Sequence, residues 1–525
     1  MRTPWRDPAV GGALTTFGVV GLVALLLSLA TVVSDDGRPV VAGAGPSDAE
    51  TVDLADDTAV ESTEGSASMS GAAPGAPKTG SARAVATGTA GGASTAGGQA
   101  AAGGGQSCAR GSNGGATDVG VTADQIKLAA TVVADGPGSS FLGPVRTAMT
   151  TVVNKVNRRG GICGRRLELI LRNDSWDGDR GQQYLKNFVE GEKVFALAVV
   201  PSSEGLRNAD EYIASKQVPV VGTDGMLIHQ YRNPWIWPVA TSTISAMHVM
   251  VHNAHQRGSK DFAIVFDAKY HFGVEGAYAY NQAVKRITGH DIPGYESSLK
   301  SCGGGNTGPE SERARFCGIQ PGKPSYSGDA RAFNNACFQS GTKTCDFIAY
   351  LLEPDTAVAF IGEGRDADPQ VGMGAAQPLF TRSFAERCGS ICNGMWVWTG
   401  YNPPIEALAT RPGVAQYVSD VRVESASADV ANQFLEGGYQ GMSLLVHALE
   451  KVGPNLTRQS LKAVLDSTTF DSGLSSPLTW RPGNHFANAS AQAFEILYKS
   501  SFAGWRQKTE FIADPWVGQD IPEGE

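Results

Sequence analysis

From Val119 onward, short apolar runs alternate with stretches whose apolar residues recur at helical spacing. "IKLAATVV" (126–133) has the length and composition of a buried strand, and "ADGPGSS" after it is a loop. In "VRTAMTTVVNKVNRRG", Val145, Met149, Val152, Val153 and Val156 share one helical face, and Gly160 and Gly161 mark its end. "RLELILRND", "VFALAVV", "VPVVGT", "DFAIVFDA", "DFIAYLLE" and "GMWVWTG" repeat the strand theme between helical segments such as "RGQQYLKNFVEGE" and "GLRNADEYIASKQ". Strands alternating with helices predict an α/β protein with mostly parallel sheets covered on both faces. The units are too many for one sheet, so two lobes are expected, each an open sheet.

Ahead of this region the pattern changes twice. Met1, Arg2 and Arg6 precede "FGVVGLVALLLSLATVV", and acids follow it. Residues 1–36 read as a signal peptide or a signal anchor, with the remainder of the chain outside the cytoplasm. No cysteine follows the apolar run closely enough to accept a lipid; the first is Cys108. Residues 37–117 are dominated by Ala, Gly, Ser and Thr with few large apolar side chains, as expected of a disordered tether.

The net charge of −9 argues against nucleic acid as a partner, which calls for a clustered basic face. The eight cysteines all lie beyond the tether, and an even number in an exported chain points to disulfides. Short-range pairing predicts Cys302–Cys317, Cys337–Cys345 and Cys388–Cys392, which leaves Cys108 with Cys163. Arg158, Arg159, Arg165 and Arg166, around the turn that holds Cys163, read as surface charge.

Ligands of open α/β sheets sit beyond the carboxyl ends of the strands. The loops there are "DGPGSSF" with Ser140 and Phe141, "VPSSEG" with Ser202 and Ser203, "GTDGM" with Thr223 and Asp224, "DAKYHFG" with Tyr270 and Phe272, "LEPDT" with Glu353, and "TGYNPP" with Tyr401. Hydroxyls, glycines and rings suit a cleft for a small polar or amphipathic ligand.

The order of these motifs resembles the type I periplasmic binding proteins, and within them the leucine/isoleucine/valine-binding family that serves branched-chain amino acid ABC transporters. The similarity rests on "VNRRGGICGRRLELILRNDSWD", "VFALAVVPSSEGLRNADEYIASKQVPVVGT", "DFAIVFDAKYHFGVEGAYAYNQAVKRITG" and "FLEGGYQGMSLLVHALEKVG". It implies two lobes joined by three crossovers. Lobe 1 takes 118–243 and 399–473. Lobe 2 takes 244–398 and 474–516, with a cysteine-stapled insertion at 301–345 and a tail at 517–525.

By the same resemblance, Ser202 and Ser203 meet a ligand carboxylate, Thr223 and its neighbours meet carboxylate and amine, and Phe141 covers the ligand. Phe272 stands where the family usually has tyrosine, with Tyr270 close enough to substitute. The family's acid for the ligand ammonium falls near Ala375, Ala376 and Gln377, where no acid stands; Glu353 or Asp224 could take that role, and if neither does, a zwitterionic amino acid is a poor ligand. Ser202 and Ser203 also fit as helix caps.

His248, His252 and His255 share a helix face at a spacing that can hold a metal, but no acid or cysteine lies beside them at helical spacing, which favours ordinary surface histidines. Neither GxSxG, HExxH nor a P-loop occurs, and Asp366 and Asp368 lie in a polar loop. Asn455 and Asn488 match the short glycosylation pattern.

The expectation is therefore a non-enzymatic, extracytoplasmic solute-binding protein without cofactor or metal. Its partners are a small-molecule ligand, an ABC transporter permease and, through the N-terminal segment, the membrane. A membrane-tethered sensor of the same fold is the alternative.

Overall fold

The computed structural model describes residues 108, 113–297, 301–338, 344–364, 371–499 and 502–522. The expected signal segment, nearly all of the tether, Asp366 and Asp368 lie outside the described residues. Among the described residues no helix is long and apolar enough to cross a membrane.

Strands β1 (Gln125–Val132), β2 (Arg166–Asn173), β3 (Ala196–Ala198), β4 (Val220–Thr223) and β5 (Ile236–Pro238) form a parallel sheet in the order β2-β1-β3-β4-β5. Helix Val145–Arg158 buries Val145, Met149, Val152, Val153 and Val156, the face its spacing predicts. Its end is set by sterics: a methyl on Gly161 would stand 2.0 Å from the Arg165 carbonyl oxygen. The chain then turns through Ile162–Arg165 into β2.

The second sheet runs parallel through β6 (Phe262–Asp267), β7 (Phe316–Ile319), β8 (Phe347–Leu351), β9 (Gly372–Ala375) and β10 (Trp396–Thr399). A small ladder, β11 (Thr469–Phe470) with β12 (Leu478–Thr479), stands apart from both sheets. Strands β13 (Ser490–Lys499) and β14 (Phe502–Gln507) then add antiparallel at the β10 edge, giving β14-β13-β10-β9-β8-β6-β7. The fold is the expected two-lobed α/β architecture.

Three crossovers join the lobes side by side. Thr241 Oγ1 donates to the Ser490 carbonyl at 2.5 Å, and Asn488 Nδ2 donates to the Gly400 carbonyl at 3.1 Å. Asn488 is therefore a buried hinge residue with no room for a glycan. The third crossover comes later than residue 474: Trp480 Nε1 donates to the Pro238 carbonyl and His485 Nδ1 lies 2.5 Å from the Ile236 oxygen, so this stretch still packs on the first lobe.

All four disulfides pair as the spacing predicts: Cys108–Cys163, Cys302–Cys317, Cys337–Cys345 and Cys388–Cys392. The 301–345 stretch carries the sheet-edge strand β7 and helix Ser327–Cys337. Other expectations are corrected. Arg165 is fully buried rather than surface charge. Its guanidinium donates to the carbonyls of Thr122 (2.8 Å), Gly115 (2.9 Å), Pro454 (3.2 Å) and Asn113. The last residues assigned to the tether are thus tied down, and Thr117 Oγ1 donates to the Leu456 carbonyl as well.

His248 is likewise no surface histidine. It is fully buried, with Nδ1 3.0 Å from Asp514 Oδ1 and Nε2 2.9 Å from Asp520 Oδ2. Arg286 pairs with the same Asp520 at 2.5 Å, so the expected tail is held to the second lobe as far as that residue. Burial alone would lower the His248 pKa, but hydrogen bonds and charge from the two aspartates outweigh it and hold it above the ordinary value.

Two outcomes follow from these buried cations. Arg165→Ala leaves several carbonyls without their donor and should lower stability by about 1.5–3 kcal/mol in urea unfolding, with Lys only a partial substitute; an unchanged midpoint would remove the staple. A raised histidine pKa stabilises fully below about pH 6.5, and the contribution fades as pH rises through the folded-state value. His248→Gln should therefore flatten the decline in stability between neutral and alkaline pH relative to wild type; identical slopes would count against a charged His248.

Candidate functional site

A glycine pair fixes how close the site's two main elements come. Gly222, in a bulge of β4 with φ +86°, faces Gly441 of helix Gln433–Val452, and a Cβ on Gly222 would lie 2.3 Å from the Gly441 Cα. The start of that helix thereby reaches the carboxyl end of β4. Asn432 caps it, its Oδ1 accepting from the Phe434 and Leu435 amides, while Asn432 Nδ2 reaches the Phe141 carbonyl at 3.4 Å.

Between this helix, the loops after β3 and β4, the crossovers and the second lobe lies a narrow cavity of about 10 Å³, room for about one water. Val145, Val199, Pro201 and Phe434 give it apolar walls; Asp224, Gln377, Tyr401 and Gln433 are its polar members. Asp224 Oδ1 accepts from the Met226 amide (3.1 Å) and Gln230 Nε2 (3.2 Å), whereas Asp224 Oδ2 and Gln433 Oε1 are buried without a hydrogen-bond partner. Burial pushes the Asp224 pKa up to about 7 despite those two donors. Just behind the cavity, both oxygens of the fully buried Glu436 also lack partners, and burial holds this carboxyl well above the usual range.

The expected residues divide. Asp224 and Tyr401 line the cavity, and Phe141 packs 5.0 Å from the Phe434 ring in its wall. Thr223 stands between two lining residues, with its buried hydroxyl unpartnered. Ser202 and Ser203 are fully buried, but neither hydroxyl caps helix Ser203–Asn208. Ser202 lies beside the Asp174 carboxyl, which burial raises to about 6 even though the Trp176 amide donates to its Oδ1. Ser203 Oγ accepts from Trp176 Nε1 at 3.3 Å.

Tyr270 and Phe272 are buried beside that same indole. Ser140 is exposed in the short helix Ser139–Leu142 and does not line the cavity. Glu353 is occupied otherwise: its Oε1 accepts from the Thr356 amide at 2.6 Å and its Oε2 from the Asp355 amide at 2.9 Å, capping helix Pro354–Glu363. It borders a separate pocket of about 310 Å³ with Gly136, Lys269 and Tyr326.

Sequence reasoning missed Gln433, Phe434 and Glu436, because no loop motif marks the first turn of a late helix, and it missed Trp176 in the turn after β2. It also missed the contacts that hold the lobes together. Glu204 of the first lobe takes the His271 amide at 2.9 Å on Oε1, with His271 Nδ1 2.6 Å from Oε2. Glu275 Oε2 of the second lobe accepts from the Ile228 amide at 2.9 Å. Among the described residues no group of histidine, cysteine and acidic side chains is arranged to hold a metal.

Known proteins place this architecture. A family model described as periplasmic binding protein matches residues 125–299 and 316–500. No curated protein sequence matches the chain. Among solved structures, a fatty acid ABC transporter substrate-binding protein from Thermomonospora curvata superposes with TM-score 0.62 at 16% identity, over 77% of this chain and 97% of its own. A branched chain amino acid ABC transporter protein from Thermus thermophilus with bound valine gives 0.62 at 13% identity, over 75% and 97%. An ABC transporter solute-binding protein from R. palustris in complex with 4-hydroxybenzoate gives 0.61 at 14%, over 74% and 98%. At such identities the structural likeness carries the fold and not the ligand. The family consists of binding proteins that work outside the cytoplasm, which accords with four disulfides. The chain, matched over more than half its length, belongs to the periplasmic binding protein family.

Proposed function

We propose that this protein captures a small polar or amphipathic ligand between its lobes and delivers it to the permease of an ABC importer. The observation that carries this reading is the cavity at the lobe junction with two buried acceptors, Asp224 Oδ2 and Gln433 Oε1, that have no donor. Leaving such atoms unpaired is unfavourable, and a bound molecule with N–H groups relieves it. The ligand class is therefore an ammonium or amide: a branched-chain amino acid, an amide or a related compound. Asp224 takes the place of the acid absent at Gln377, and Glu353, committed to its cap, does not. Solved relatives that carry valine or are named for fatty acid support a small organic ligand without choosing among classes. Binding shifts the lobes toward the closed arrangement and breaks no bond.

A thermal-shift screen against amino acids, amides, small carboxylates and sugars tests the class. A ligand at 100 times its dissociation constant adds about 2.7 kcal/mol. Amines or amides should respond; a response confined to carboxylates without N–H donors would overturn the assignment.

Asp224 offers a second test with a defined sign. Its carboxyl keeps a proton up to about pH 7 when folded but only to about pH 4 when unfolded. Stability therefore falls as pH rises from about 4 to 7 and is level beyond. Asp224→Asn keeps an oxygen for Met226 and Gln230 and removes the buried charge. It should raise unliganded stability at pH 8 by roughly 2–4 kcal/mol while weakening any ligand found in the screen. A variant no more stable than wild type at pH 8, or one that binds as before, would exclude Asp224.

A further inference from the structure

The helix after β6 starts without a cap of its own. Helix His271–Thr288 follows Tyr270, whose side chain takes none of the first amides, and its first turn holds no acid. The first amides of a helix have no partner within it, and its start favours negative charge. Here the acid comes from the other lobe. Glu204, in helix Ser203–Asn208, accepts the His271 amide on Oε1 at 2.9 Å, and its Oε2 lies 2.6 Å from His271 Nδ1.

The same helix returns the contact. Glu275 stands four residues after His271, on the same face of the helix. Its Oε2 accepts the Ile228 amide at 2.9 Å. Ile228 is buried in the first lobe, directly ahead of the short helix His229–Arg232, whose start supplies no side-chain cap.

Both contacts have a firm seat. A methyl on Gly273 would stand 2.0 Å from the Asp267 carbonyl oxygen, and one on Gly276 would stand 2.3 Å from Leu351 Cδ2. The start of the helix is thus packed hard against its own lobe. Trp176 of the first lobe stacks on Tyr270, the neighbour of His271, with centroids 4.0 Å apart and planes 13° from parallel. Its Nε1–H ends on Ser203, the neighbour of Glu204.

We propose that Glu204 and Glu275 form a reciprocal latch between the lobes. Each lobe supplies the acid that the start of a helix in the other lacks, and the Trp176–Tyr270 stack sets the two surfaces in register. Separation of the lobes breaks both bonds, so making one favours the other. The chain's own side chains therefore hold a closed arrangement, and a ligand selects that arrangement and need not create it. The latch goes beyond the ligand-binding reading and depends on neither a ligand nor the cavity.

The test is hydrogen exchange in the full chain with no ligand added, read at single amides. Glu204→Ala removes the acceptor of the His271 amide, so faster exchange there decides nothing by itself. The deciding amide is that of Ile228, whose own acceptor is untouched. It should exchange about tenfold faster than in wild type, the change expected when one bond to a charged group is lost from an opening equilibrium. Glu275→Ala should do the same to the His271 amide. Amides of β1, inside the first lobe's sheet, should keep their wild-type rates. Acceleration confined to the amide that each substitution uncovers would make the bonds two independent caps and exclude the latch. Equal acceleration in β1 would mean a general loss of stability and exclude it as well. Should an alanine variant lose cooperative unfolding, the glutamine variant at that position takes its place. Glutamine keeps the packing and weakens the bond, since charge-assisted hydrogen bonds are the stronger ones. The remote amide should then accelerate by a smaller factor, and no change there overturns the proposal.

Discussion

The approach of Gly222 to Gly441 is the constraint on which the site depends. Any side chain at either position would drive helix Gln433–Val452 off the end of β4. Because the helix lies so close, its first turn, not a loop, furnishes one wall of the cavity: Gln433, Phe434, Gly437 and Gly438. The same contact places two carboxyls, Asp224 and Glu436, in surroundings too dry for full ionisation at neutral pH. A protein selected for stability alone would have replaced them with apolar or amide side chains. Their presence costs local stability, a common relation at sites where structure serves binding.

Much of the architecture was legible because it is written in local pattern. Strands buried on both faces leave unbroken apolar runs, which is why β1, β6 and β8 stand out in the sequence. The disulfides were legible because short separations in an exported chain leave few sensible partners. What escaped has one physical character: its partners come from far along the chain. Arg165 finds its acceptors at 113, 115, 122 and 454, and His248 finds its acids at 514 and 520. Strand β7 is four residues, one of them Cys317, directly after the short 3-10 helix Glu310–Arg315, and too short for any period to register.

For the site, the loops were the right places and the roles were only partly right. Glu353 carried a signal that could have been used, since Pro354 after it marks the first position of a helix and makes the glutamate a cap. Trp176 carried none; a tryptophan in a polar turn after a strand gives no hint that it will bridge two lobes. The serine loop shows how a resemblance can identify a position and miss its partner, because Ser203 answers to an indole of its own chain.

The bond between Cys108 and Cys163 has a mechanical meaning as well. Together with the Arg165 contacts, it attaches the chain's approach to the turn before β2, on the first lobe and remote in sequence from all three crossovers. A pull on the chain ahead of Cys108 is therefore delivered to one lobe through a covalent link and never passes along the crossovers. The other lobe, reached only through the crossovers, carries none of that load.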